Sequence, residues 1–166
     1  MKAIFSILFF FLSFAVPAQM TKAGLTANDL KDLPGSWTGN MVFTAEQSQV
    51  TYKTQLTILD MKDSLLFKFT HTDPEGKVLT ENYAVRIYED GNKMSFDSSE
   101  YDIVAIRRRG VRLEIIIECE GVDKYRSAEF QQTIIIGPAN LNIVKKIRYT
   151  DMVDYFIRSR SGLTKK

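Results

Sequence analysis

Tyr101-Asp102-Ile103-Val104-Ala105-Ile106-Arg107-Arg108-Arg109-Gly110-Val111-Arg112-Leu113-Glu114-Ile115-Ile116-Ile117-Glu118-Cys119 decides the fold. Two β-branched, apolar runs flank an Arg-Gly pair. In the second run Leu113, Ile115, Ile117 and Cys119 fall on alternate positions, with Glu114, Glu118 and then Glu120 on the other parity. A period of two puts one set on a buried sheet face and the carboxylates on the solvated face. The Arg109-Gly110 break between the runs is short, and strands joined by a tight turn pair antiparallel.

The same pattern extends in both directions. Strands are expected over Ser36–Ala45, Val50–Leu59, Leu65–Thr72, Val78–Tyr88, Lys93–Ser98, Tyr101–Arg108, Val111–Cys119, Tyr125–Ile136 and Leu141–Tyr149, with a last short one over Asp154–Arg160. Tyr52, Leu56 and Ile58 share one face, as do Leu65, Phe67, Phe69 and His71, and Leu79, Tyr83, Val85 and Ile87. Asp73-Pro74-Glu75-Gly76, Asp90-Gly91-Asn92, Glu120-Gly121 and Gly137-Pro138-Ala139-Asn140 read as further turns. No stretch supplies the helical crossovers of a parallel sheet. Eight to ten strands in series leave two open edges unless they close, so an up-and-down antiparallel β-barrel is expected. A two-sheet sandwich is the alternative, but it calls for longer connections than these. Ahead of the first strand, Thr26 to Leu33 reads as a short helix capped by Thr26, with Asp29 as its partner and Pro34-Gly35 as its stop.

The N-terminus sets the compartment. Lys2 precedes an almost wholly apolar run from Ala3 to Val16, and Val16-Pro17-Ala18 carries small residues where a signal peptidase cuts. A bilayer span needs about 20 apolar residues, and this run is shorter. Residues 1–18 are therefore expected to be a cleaved signal, 19–34 an N-terminal segment and 35–166 the barrel. No integral membrane segment is expected after cleavage. The only cysteine, Cys119, lies far from the cut, which disfavours a lipid anchor, and one cysteine makes no internal disulfide. Exported and uncrosslinked, the chain reads as a periplasmic or secreted bacterial protein. Of 22 basic and 20 acidic residues only Lys2 falls within the signal, leaving a mature charge near +1, which excludes a general nucleic-acid binder.

Leu33-Pro34-Gly35-Ser36-Trp37-Thr38-Gly39 opens the first strand with the sole tryptophan. A Gly-x-Trp in this place, behind a short helix and ahead of a β-meander, resembles the signature of the lipocalins and the wider calycin group. The resemblance implies that Gly35 and Trp37 belong to the barrel floor and that an arginine from the end of the chain packs across the indole. Arg148, Arg158 and Arg160 are the candidates.

Few chemistries survive this composition. One His and one Cys make a zinc site improbable. Barrels resembling nitrobindin hold haem through one His, but that ligand comes late in the chain, whereas His71 comes early and is expected to be a solvated strand-end residue. No cofactor is expected. Gly35-Ser36-Trp37-Thr38-Gly39 has Trp where a nucleophile elbow needs Ser. Glu114, Glu118 and Glu120 read as an outer face rather than an acid pair, and Cys119 as a small buried residue. No catalytic residue is expected. Arg107-Arg108-Arg109-Gly110-Val111-Arg112 reads as a solvated hairpin tip, or as a cationic rim for a partner. Tyr52, Phe67, Phe69 and Tyr83 are the expected ligand-binding residues if the barrel is hollow, and core if it is filled. The functional expectation is a non-catalytic barrel holding a small apolar or amphipathic ligand. The rival is a filled, structural barrel that meets a partner through an outer face or the arginine-rich hairpin.

Overall fold

Alternation along the chain becomes eleven strands in one antiparallel sheet. The computed structural model describes residues 24–45 and 48–166, so the expected signal at 1–18 lies outside the described residues. The strands are β1 (Gly35–Ala45), β2 (Ser48–Met61), β3 (Ser64–Thr72), β4 (Val78–Val85), β5 (Ile87–Tyr88), β6 (Lys93–Phe96), β7 (Ser99–Arg109), β8 (Arg112–Asp123), β9 (Arg126–Ile136), β10 (Asn140–Tyr149) and β11 (Phe156–Lys165). Their order in the sheet is β4-β3-β2-β1-β11-β10-β9-β8-β7-β6-β5. First and last strands therefore meet inside the sheet, with Trp37 opposite Lys165 and Phe43 opposite Ser159.

The curled sheet almost closes. Its seam lies between β4 and β6, where Ser95 does the joining. The Ser95 hydroxyl donates to the Ala84 carbonyl and accepts from the Arg86 amide, both at 2.9 Å, and the Ser95 amide donates to the Arg86 carbonyl at 2.9 Å. Ser95→Ala removes the side-chain partner of two backbone groups. Net hydrogen-bond values near 1 kcal/mol each, reduced by solvent access, give an expected loss of about 1–2 kcal/mol. Urea unfolding measures it, and an unchanged midpoint would show that the seam is held by other means.

Inward residues fill one end of the barrel. Leu25, Leu30 and Leu33 cover Trp37 from below, and Leu56, Ile58, Phe67, Ile115, Ile117 and Leu141 complete the same cluster. Trp37 is 1 % exposed, and its indole N–H donates to the Leu33 carbonyl at 2.9 Å. The cation at the indole is Lys165, not an arginine: its Nζ lies 5.3 Å from the ring centroid and donates to the Asp32 carbonyl at 2.7 Å. Arg148 is engaged by Glu129, Arg158 by Asp123, and Arg160 lies exposed on the outer wall. The reason is register: β11 runs to Lys165 rather than stopping at Arg160, and only its last turn of side chains reaches the floor.

Other expectations change with the tertiary path. The N-terminal helix is a single 3-10 turn, Ala27–Leu30, whose Asp29 carboxylate accepts from the Thr26 amide and hydroxyl at 2.9 and 2.8 Å. The strand expected over Val78–Tyr88 breaks at Arg86, where the chain leaves β3 and crosses to β6. Glu120-Gly121 is not a turn. β8 continues to Asp123, and the turn falls at Lys124-Tyr125, both with positive φ. Gly121 instead sits beside Phe130, where a Cβ would lie 3.0 Å from the ring. Asp90-Gly91 does turn, and Gly91 has φ 86° with the backbone of Leu25 against it.

Candidate functional site

Above the filled floor the barrel is hollow. An up-and-down path places the β1–β2, β3–β4, β6–β7, β8–β9 and β10–β11 connections at one end, the mouth. A cavity of about 350 Å³ opens there, with Phe43, Tyr52, Leu79, Phe130 and Ile147 on its wall. A deeper space of about 70 Å³ shares Met41, Glu81, Asp97, Lys145 and Ser159 with it and reaches His71 and Gln132. Filled core and open cavity are thus stacked along one axis.

The four expected ligand residues divide accordingly. Phe67 belongs to the solid core, stacked on Tyr83 with centroids 5.7 Å apart and edge-on to Phe96 at 5.9 Å. Phe69 and Tyr83 stack at 5.8 Å and line the deep space. Tyr52 lines the mouth, edge-on to His71 at 6.3 Å. Leu79, placed on the inward face by parity, is half-exposed because it stands at the open rim. One alternating stack of rings therefore runs from floor to mouth along β3 and β4.

Between the apolar floor and the aromatic mouth lies a belt of polar residues. His71 is 2 % exposed, not a solvated strand end. Its ring stacks on Phe69 at 5.4 Å, and Nδ1 is hydrogen-bonded to the Thr54 hydroxyl at 2.9 Å. Burial pulls its pKa below the usual imidazole value, favouring the neutral ring. Gln132 donates to the Tyr101 hydroxyl at 2.8 Å, and Lys145 is paired with Asp97 while lying 5.3 Å from the Phe130 centroid. Nearer the mouth, Arg158 is paired with Asp123, and Tyr149 donates to the same carboxylate at 2.6 Å. Burial first, then the Asp97 carboxylate, push Glu81 above the ordinary carboxylate range.

Glu81, Asp97, Lys145 and Gln132 were not singled out from the sequence, although a signal was there. Glu81 has the parity of Tyr83 and Val85, and Lys145 that of Ile143 and Ile147. A charge at an inward position of an alternating strand marks a polar interior. The other candidates resolve structurally. Glu114 pairs outward with Arg107 at 2.9 Å. Cys119 is half-buried against the core, and burial raises its thiol pKa, which makes a poor nucleophile. Arg108 grips Asp29 at 2.8 and 3.0 Å, fastening the N-terminal turn to the barrel. Among the described residues no group of three or more His, Cys, Asp or Glu could hold a metal ion, and no helix is long and apolar enough to cross a membrane.

A larger hollow of about 510 Å³ lies outside the floor, between Leu30, Met61 and Ile87. Its charged residues, Lys31, Asp60, Lys62, Asp63 and Arg86, are all exposed, and no polar belt converges on it. The mouth cavity is the better site.

No protein-family model and no curated protein matches the chain. Among solved structures, the crystal structure of Rv2717c from M. tuberculosis is similar, with a TM-score of 0.63 and 14 % identity over 86 % of this chain and 99 % of that one. Lobster apocrustacyanin A1 aligns at TM-score 0.40 and 10 % identity, over 82 % of this chain and 61 % of that one. Zebrafish ileal bile acid-binding protein, in complex with cholic acid, aligns at 0.33 and 13 %, over 81 % and 99 %. The first likeness concerns the fold alone, and the other two are too low to carry an argument.

Proposed function

We propose that this protein is a non-catalytic, exported barrel of lipocalin-like type that holds one small amphipathic molecule in the mouth cavity. One observation carries the reading: the barrel is solid only at its floor, and a space of about 350 Å³ with aromatic walls and a polar base stands open above it. Small-molecule pockets have this size and this mix of surfaces. Glu81 apart, the polar groups of the belt are mutually engaged, His71 with Thr54, Gln132 with Tyr101 and Lys145 with Asp97, which suits orienting a ligand better than moving protons. Export rests on the reading of residues 1–18. The rival partner-binding reading is weakened, because Arg107 and Arg108 of the arginine-rich hairpin are held within the molecule.

Native mass spectrometry of protein recovered from the exported fraction tests both parts. The expected spectrum shows a chain beginning at Gln19 and carrying one small molecule. A ligand-free chain that also fails to bind Nile red would overturn the ligand reading, and a chain retaining residues 1–18 would overturn export.

A further inference from the structure

The charges around the mouth cavity do not cancel evenly. Lys145 is neutralised by Asp97, and Arg158 by Asp123. Lys124, on the rim, is engaged as well. Glu81, an exposed residue of β4, lines both the mouth and the deep space; among the described residues it makes no hydrogen bond or ion pair, and the attraction of Lys145 is outweighed by the repulsion of Asp97. It is also reachable. β4 contacts β6 only around the Ser95 seam, so the Glu81 stretch of β4 has no strand beside it on that edge. Aromatic residues line the same spaces: Tyr83 two residues along the same strand, and Tyr52 and Phe130 on the wall of the mouth.

Each ligand class meets this arrangement differently. A carboxylate would find the three cations of the cavity already engaged and the one open charge of its own sign. A neutral head would leave Glu81 with only the attraction of Lys145, which Asp97 already holds. An ammonium would supply a charge of opposite sign, and the apolar and aromatic lining would take its body.

We propose that the mouth cavity selects an amphiphile with a cationic head, an organic ammonium on an apolar body, with Glu81 as its counter-ion. This rests on the ligand-binding reading above and narrows it to one head-group chemistry. The upward displacement of the Glu81 pKa agrees, since an ammonium beside the carboxylate relieves what disfavours its charge.

Calorimetric titration of the full mature chain at pH 7 with decylamine, decanol and decanoate, each below its aggregation concentration, tests it. Decylamine is expected to bind wild type on the order of ten-fold tighter than decanol, as a charge-assisted contact in a half-solvated site would give. Glu81→Gln should erase that preference, and Glu81→Lys should turn it toward decanoate, with unchanged circular dichroism for both variants. Equal binding of the three probes, strongest binding of decanoate, or an amine preference surviving in Glu81→Gln would overturn the cationic assignment while leaving the ligand site standing. If wild type binds none of them, nor Nile red, the ligand reading itself falls.

Discussion

Trp37→Ala lowers the stability of the folded chain by about 4 kcal/mol, the usual range for truncating a buried tryptophan being 3–5. The indole is 1 % exposed and sits where the floor cluster of Leu25, Leu30 and Leu33 meets the barrel interior. Truncation leaves a void that rigid strands on every side cannot collapse to fill. It also strips the Leu33 carbonyl of its donor and Lys165 of the ring beneath it. Trp37→Phe separates these losses: it keeps most of the apolar volume and removes the N–H, so about 1–2 kcal/mol is expected. The sole tryptophan is the obvious fluorophore, so unfolding has to be followed by circular dichroism in urea. A loss under 1 kcal/mol for Trp37→Ala would mean that Trp37 does not close the barrel.

Arg158→Ala costs about 3 kcal/mol, by a different route. Arg158 is 6 % exposed, and its guanidinium is paired with Asp123 and donates to the Tyr149 hydroxyl at 3.1 Å and the Thr44 carbonyl at 3.3 Å. Its carbon lies 5.1 Å from the Phe156 centroid and 5.9 Å from that of Phe43. Removing one partner of such a pair strands the other charge away from water, and the penalty falls on the survivor. Asp123→Ala should therefore cost a comparable amount. The double variant should cost clearly less than the two singles together, by about 1 kcal/mol or more. Strict additivity would show that the two groups do not depend on each other. Because the pair borders the mouth, Arg158→Ala should also weaken Nile red binding, whereas Trp37→Phe, at the other end, should not.

Sequence and structure divide the molecule in an orderly way. Leu65, Phe67, Phe69 and His71 were read onto one face from alternation alone, and all four point inward. That works because a strand's side-chain period is set by its own backbone, with no help from neighbours. Turn positions were legible where Asp, Pro and Gly act locally, as at Asp73, whose carboxylate accepts from the Glu75 and Lys77 amides at 2.9 and 2.8 Å. They were misread at Glu120-Gly121, because that glycine answers to the Phe130 ring on the next strand and not to its own backbone. The cation at Trp37 is Lys165 and not an arginine for a similar reason. Which end residue reaches the floor depends on the pairing register of β1 with β11, and those strands are the two ends of the sequence.

The sequence by itself thus determined an all-β, antiparallel barrel with the inward face of β3 correctly assigned, whereas the place of Gly35 and Trp37 at a barrel floor was implied only by a family resemblance. Only the tertiary structure decided that the barrel is solid below and hollow above, that His71 is buried, and that Glu81 faces the cavity without a partner. The physical reason is range. Parity and turn chemistry are properties of a few consecutive residues, whereas a cavity and an unpaired charge are defined by what the other strands bring, or fail to bring, to the same place.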